Sequence, residues 1–116
     1  MISATMDASH ILVVEDEPDI ASMLNACLEL FGYRVTLART GAEAILAAMH
    51  AAPDVIILDM KLPDMSGDEV CRRLRQEART ARTPVIFLSA MTQRSDIARG
   101  LTAGAEDYLT KPIDLQ

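Results

Sequence analysis

Three scarcities bound what this chain of 116 residues can be. Cysteine is scarce: there are two, Cys27 and Cys71, without the paired spacing of a metal site. A disulfide scaffold and a zinc framework are therefore excluded. Cys27 falls on an apolar helical stripe and Cys71 beside another, so both read as buried structural thiols in a reducing compartment. Long hydrophobic runs are missing, and no stretch approaches the ~20 apolar residues that a bilayer-crossing helix needs. The opening "MISATMDASH" carries no basic n-region, and the "ILVV" after it is too short for a secretion signal. The expected location is the cytoplasm. Positive charge is scarce too, with 11 Lys and Arg against 17 Asp and Glu and a net charge of −6. That balance argues against a general nucleic-acid or membrane-surface binder, and suits a metal ion or a basic partner surface better. No DNA-binding segment, internal repeat, low-complexity tract or linker interrupts the chain. His10 and His50 flank apolar segments without ligand-spaced neighbours and take no role. The seven methionines read as core filler.

What is present is alternation. Residues 1–9 read as an N-terminal extension, and 10–116 as one domain long enough to bury a core. "ILVV" (11–14) is a strand. Ile20, Met23, Leu24, Cys27, Leu28 and Phe31 then recur on one face of a helix that Pro18 opens and Gly32 closes. "YRVTLA" (33–38) alternates like a half-buried edge strand, and "TGAEAILAAMH" (40–50) is an alanine-rich helix. "DVIILD" (54–59) is the third strand, and "DEVCRRLRQEA" (68–78) the third helix, with Val70 and Leu74 inward. "PVIFLS" (84–89), "SDIARGLTAG" (95–104) and "DYLT" (107–110) supply a fourth strand, a fourth helix and a fifth strand. Central strands that are apolar throughout imply an α/β fold with a parallel sheet and helices on both faces. The arginines at 72, 73, 75, 79 and 82 read as a solvated helix face and loop rather than an anion patch.

In "VIILDMKLPDMSG" (55–67) a carboxylate, Asp59, ends an apolar run just before a turn. Ligands of open parallel sheets bind beyond the carboxyl ends of strands, where strand order reverses. The chemically unusual residues fall there: Glu15 and Asp16 after the first strand, Asp59 at the end of the third, Ser89 at the end of the fourth and Lys111 after the fifth. With strand order 2-1-3-4-5, Glu15, Asp16 and Asp59 converge, and Asp59 is expected at the rim of a site, outside the buried run. Like charges at ~4 Å cost on the order of 4 kcal/mol per pair at an effective dielectric near 20. The group therefore demands protons or cations. A hard ion such as Mg²⁺ and the ammonium of Lys111 are the two remedies available.

Glu15-Asp16, Asp59 with Pro63 and Gly67, Ser89-Ala90, Tyr108 and Lys111-Pro112 resemble the receiver domain of bacterial two-component response regulators. The resemblance runs from about residue 10 to 113, and "GLTAGAEDYLTKP" (100–112) is especially typical. It implies a flavodoxin-like, doubly wound, five-stranded sheet, and a cytoplasmic signalling protein rather than an enzyme. It also implies roles. Asp59 would accept a phosphoryl group from the phosphohistidine of a sensor histidine kinase or histidine phosphotransfer protein. Asp16 and Asp59, Glu15 through water, and the backbone carbonyl of Lys61 would hold Mg²⁺. Ser89 and Lys111 would hold phosphoryl oxygens, with Ser89 and Tyr108 as the switch. A downstream effector or output domain would read the surface of the fourth helix and fifth strand. Lys61 and Met91 stand at positions that vary in the family and influence phosphoryl lifetime.

A dehalogenase-type phosphatase is rejected, because it needs an acid where Lys61 stands and a nucleophile on the first strand. A flavin binder is rejected because "EDEPD" after the first strand would repel phosphate. The remaining alternative is a receiver-like docking module that no longer cycles phosphate. The first and third helices are expected on opposite faces of the sheet, so Cys27 and Cys71 should not pair. Four residues, "IDLQ", follow Lys111-Pro112, whereas the resembled family continues into a fifth helix. One sheet face is therefore expected to need cover, either because the chain is a piece of a longer regulator or because a homodimer supplies it.

Overall fold

Apolar runs too short for helices form five strands: β1 (His10–Val14), β2 (Arg34–Ala38), β3 (Val55–Asp59), β4 (Val85–Ser89) and β5 (Asp107–Thr110). Between the first four lie α1 (Pro18–Leu30), α2 (Gly41–His50) and α3 (Gly67–Arg75). A computed structural model of the chain describes residues 9–89 and 107–110. The helix expected over 95–104, the residues Met91, Lys111 and Pro112, and the side chains of Ser89 and Tyr108 lie outside the described part.

All strand pairs are parallel, in the order β2-β1-β3-β4-β5. This is the flavodoxin-like winding expected from the sequence, and its reversal point falls between β1 and β3. Successive strand side chains point to opposite faces, and the core divides accordingly. Leu12, Val14, Ile56, Leu58, Val85 and Phe87 meet Ala44 and Ala48 of α2 and Val70, Cys71 and Leu74 of α3. Ile11, Val13 and Leu88 meet Leu24 on the other face, with Ile20 and Leu28 of α1 packed around them. Val55, Ile57 and Ile86 are only half-buried. The alternation of β2, with Arg34 and Leu37 exposed and Ala38 buried, marks it as an edge. The helices carrying Cys27 and Cys71 are thus on opposite faces, and neither cysteine is in a disulfide. Burial pushes the Cys71 thiol up, which keeps it protonated and inert.

Helix ends follow local chemistry. Pro18 opens α1, where its missing N–H costs nothing. Gly32, at φ +90°, closes it: the Gly32 N–H donates to Glu29 O (3.0 Å) and the Tyr33 N–H to Leu28 O (3.2 Å), a Schellman pair. The third helix is shorter than the sequence implies, ending at Arg75 rather than near residue 78. Bonds from the segment just after it reel the chain back there. The Thr80 hydroxyl donates to Leu74 O (2.6 Å), and Arg75 Nη1 donates to Thr80 O (3.0 Å) and Thr83 O (2.7 Å). His10, expected to flank the first strand, is its buried first residue, with Nε2 2.7 Å from Thr36 Oγ1. Its N–H donates to Asp54 Oδ2 (2.7 Å), and the Asp54 N–H donates back to His10 O (2.7 Å).

Gly67 opens α3 where the chain passes closest to β3. A Cβ there would fall on the backbone carbonyl oxygen of Asp59 and lie 2.9 Å from both Met60 Cα and Phe87 Cε1. Backbone atoms cannot step aside as a flexible side chain can. Gly67→Ala is therefore expected to cost about 3 kcal/mol by overpacking. Gly32→Ala, with nothing within 4 Å of its Cβ, should cost only the strain of a positive φ, about 1–2 kcal/mol. Thermal melts of the two variants check the ranking.

Candidate functional site

The register Val14↔Leu58 puts the residue after β1 beside the last residue of β3. The Glu15 N–H donates to Ala38 O (2.9 Å), which fixes this position against β2 as well. Glu15 and Asp59 are only 1% and 3% exposed. The expected rim position of Asp59 is therefore corrected: it belongs to the buried strand. The ladder runs past it, with the Met60 N–H donating to Leu88 O (3.4 Å), and Gly67 covers it, its N–H donating to Met60 O (2.6 Å).

Glu15, Glu17 and Asp59 each offer a carboxylate oxygen, and these oxygens lie within 4.8 Å of one another. Asp16 is exposed, and its carboxylate is not a member of this group. The Glu17 N–H donates to Glu15 Oε2 (3.0 Å), which draws the chain into a tight turn before Pro18. Residues 15 and 17 then share a side. Glu17 was not singled out in the sequence, although spacing of two beside a strand end is the pattern that puts side chains on one face. At 4.8 Å and an effective dielectric near 20, each like-charge pair costs about 3–4 kcal/mol. Hard oxygen donors that repel one another suit a small divalent cation such as Mg²⁺.

The loop after Asp59 is pinned at several points. The Lys61 N–H donates to Asp59 Oδ1 (3.2 Å), and Lys61 pairs with Ser66 in an isolated antiparallel bridge. The Lys61 side chain is exposed. Asp64 crosses to α2, its Oδ1 accepting from the Gly41 N–H (2.7 Å) and its Oδ2 from the Ala42 N–H (2.9 Å). Those two bonds, Gly41 first, hold the Asp64 carboxyl below the usual carboxylate range. The Ser89 backbone pairs with Thr110 at the end of β4, adjacent to β3, and Tyr108 pairs with Phe87 within the sheet. The arginines of α3 are engaged: Arg72 with Asp68 (2.8 Å) and Glu69 (3.1 Å), Arg73 with Glu69 (2.9 Å), and Arg75 with the carbonyls described above.

Comparison with known proteins places the chain in a family. The family described as "Response regulator receiver domain" matches residues 11–116. The transcriptional regulatory protein KdpE of Mycobacterium tuberculosis is 49% identical over 105 residues, covering 90% of this chain and 45% of the relative. The dual master transcriptional regulator RpaA of Synechocystis is 42% identical over 107 residues, covering 92% of this chain and 44% of the relative. The chain thus spans less than half the length of these regulators. Among solved structures, chemotaxis protein CheY4 of Vibrio cholerae superposes with a TM-score of 0.89 at 32% identity, covering 93% of this chain and 90% of that one. The receiver domain of sensor histidine kinase PA1611 of Pseudomonas aeruginosa, which has a magnesium ion coordinated in its active-site cleft, gives 0.86 at 36% identity, covering 93% and 88%.

The lowered pKa of Asp64 carries a pH signature. The folded state holds the charged form more firmly than the unfolded chain does. The stabilisation is therefore complete above the unfolded value, about 3.9, and is lost as pH falls through the lower folded value. Asp64→Asn should melt below wild type near pH 7, with the gap closing below about pH 4. Paired melts at the two pH values check this.

Proposed function

The chain belongs to the response regulator receiver domain family, and from that premise we propose that it is a phosphoacceptor switch with Asp59 as its acceptor. The observation that carries the proposal is the meeting of Glu15 and Asp59, two buried carboxylates at neighbouring strand ends, with Glu17 completing an acidic group. No helix among the described residues is long and apolar enough to cross a membrane.

In this reading a carboxylate oxygen of Asp59 attacks the phosphorus of a phosphohistidine on a kinase or phosphotransfer partner. The new O–P bond forms as the P–N bond breaks, and the imidazole departs with that electron pair. Glu15, Glu17 and Asp59 are the carboxylates in place to hold Mg²⁺, with Asp16 beside them in sequence and the Lys61 carbonyl in the loop above. When bound, the ion offsets the charge of the acids and of the incoming phosphoryl oxygens. The Lys61 N–H holds Asp59 Oδ1, so the carboxylate presents itself in one orientation. Ser89 and Lys111 take the phosphoryl oxygens, and Tyr108 relays the change to a partner-binding surface, in the roles that family resemblance gives them. The protein signals rather than turning over a substrate, and its partners are a histidine kinase and an output domain.

Two outcomes follow. Because Asp59→Asn removes one charge of the repelling group, the variant should melt higher than wild type without metal, by on the order of 2 kcal/mol. Saturating Mg²⁺ should stabilise wild type by about 2.7 kcal/mol at a hundred times its dissociation constant and the variant far less; calorimetric melts with and without the ion measure both. Intact mass after incubation with acetyl phosphate and Mg²⁺ should show one phosphoryl adduct on wild type and none on Asp59→Asn or after chelation. An unmodified wild-type chain would make the domain a docking module that does not cycle phosphate.

A further inference from the structure

The carboxylate of Asp64 leaves its own loop to bind the first two amides of a helix 22 and 23 residues earlier in the chain. Within the helix end, Thr40 Oγ1 accepts from the Glu43 N–H (3.1 Å) and Glu43 Oε1 from the Arg39 N–H (3.0 Å), which leaves the Gly41 and Ala42 amides to Asp64. Helix and loop are therefore tied by the same two bonds. Next to Asp64, Met65 seats against Gly41 so closely that a Cβ at Gly41 would lie 2.5 Å from Met65 Cγ and 2.8 Å from Met65 Sδ. Two consecutive loop residues thus dock on one helix end, one by hydrogen bonds and one by packing.

Between the end of β3 and this docking point runs Met60-Lys61-Leu62-Pro63, and the Lys61 N–H that holds Asp59 Oδ1 lies inside that span. A segment fixed at both ends has little freedom left, and Pro63 removes more. We infer that Asp64 is a positioning residue: by anchoring the loop to the α2 N-terminus it sets the Lys61 backbone over the Asp59 carboxylate. The inference rests on the phosphoacceptor reading of Asp59 for its chemical consequence, since misplacement of about 1 Å at a reacting group can slow a reaction by up to a hundredfold.

The experiment compares wild type, Asp64→Ala, Asp64→Asn and Thr40→Ala, the last weakening the same helix end without touching the loop. Two quantities are read: hydrogen exchange of the Lys61 and Gly67 amides in the unphosphorylated protein, and the rate of phosphorylation by acetyl phosphate at saturating Mg²⁺. Asp64→Ala should speed exchange at both amides several-fold and slow phosphorylation about tenfold, within the range that small misplacements produce. Asp64→Asn keeps one acceptor oxygen and should fall between. Thr40→Ala should lower the melting temperature yet leave the loop amides and the rate within about twofold of wild type, because its lost bond is local to the helix. Equal effects of Thr40→Ala and Asp64→Ala, or unchanged loop amides in Asp64→Ala, would overturn the inference. A wild-type chain without a phosphoryl adduct would overturn the phosphoacceptor reading instead, and the exchange comparison would still decide the anchoring.

Discussion

Two carboxylates buried side by side are expensive, and the arrangement of this molecule follows from where they are placed. Glu15 and Asp59 are nearly inaccessible, yet Glu15 follows β1 and Asp59 ends β3, so neither interrupts a strand. Further back along β1 or β3 either acid would enter a layer of Leu12, Ile56 and Leu58, where an ion has nothing to compensate its lost hydration. At the carboxyl edge, main-chain amides reach both: Glu17 N–H bonds Glu15 and Lys61 N–H bonds Asp59. The parallel register of β1 with β3 then converts two separately tolerable acids into one electrostatic object that calls for a cation.

The loop beyond Asp59 is kept in shape both by the core, where Met60 is buried and against which Leu62 and Met65 pack, and by bonds along its length. The Lys61–Ser66 bridge folds the segment on itself, Gly67 brings it back against the Asp59 carbonyl, and Asp64 and Met65 lean on α2. Gly67 thus ties the loop to β3, and Asp64 and Met65 tie it to α2, so strand and helix share in fixing one carboxylate.

Much of this was legible in the sequence because period and punctuation are local. Apolar runs of four or five residues, a stripe from Ile20 to Leu28, Pro18 and Gly32 specify elements and ends within a few residues of themselves. The strand order 2-1-3-4-5, which the family resemblance implies and under which the acids converge, is the order of the sheet. The misjudged features have distant causes. α3 stops at Arg75 because Thr80 and Thr83 return to it, a decision that the helical stretch itself does not contain. Asp59 is buried because Gly67 comes back over it. Asp64 reads as an ordinary turn residue, since its partners lie before β3. Glu17 stood in plain view within "EDEPD", and the geometry of one turn separates it from Asp16.

The strand order also bears on how the chain reaches this state. Each strand after the first docks on one already formed: β2 on β1, β3 on the other side of β1, β4 on β3 and β5 on β4. No strand waits for a partner that has yet to emerge from the ribosome, so the sheet can grow in the direction of synthesis. The β1–β2 and β3–β4 pairings each close across a single helix, and β1–β3 across α1, β2 and α2. The closure entropy, which grows only slowly with loop length, therefore stays modest for a parallel sheet. The acidic edge comes together when β3 arrives beside β1, before β4 and β5 are added. The carboxylates of Glu15 and Asp59 are therefore brought together early in assembly, and an ion available at that moment would favour the nascent fold as well as the finished one.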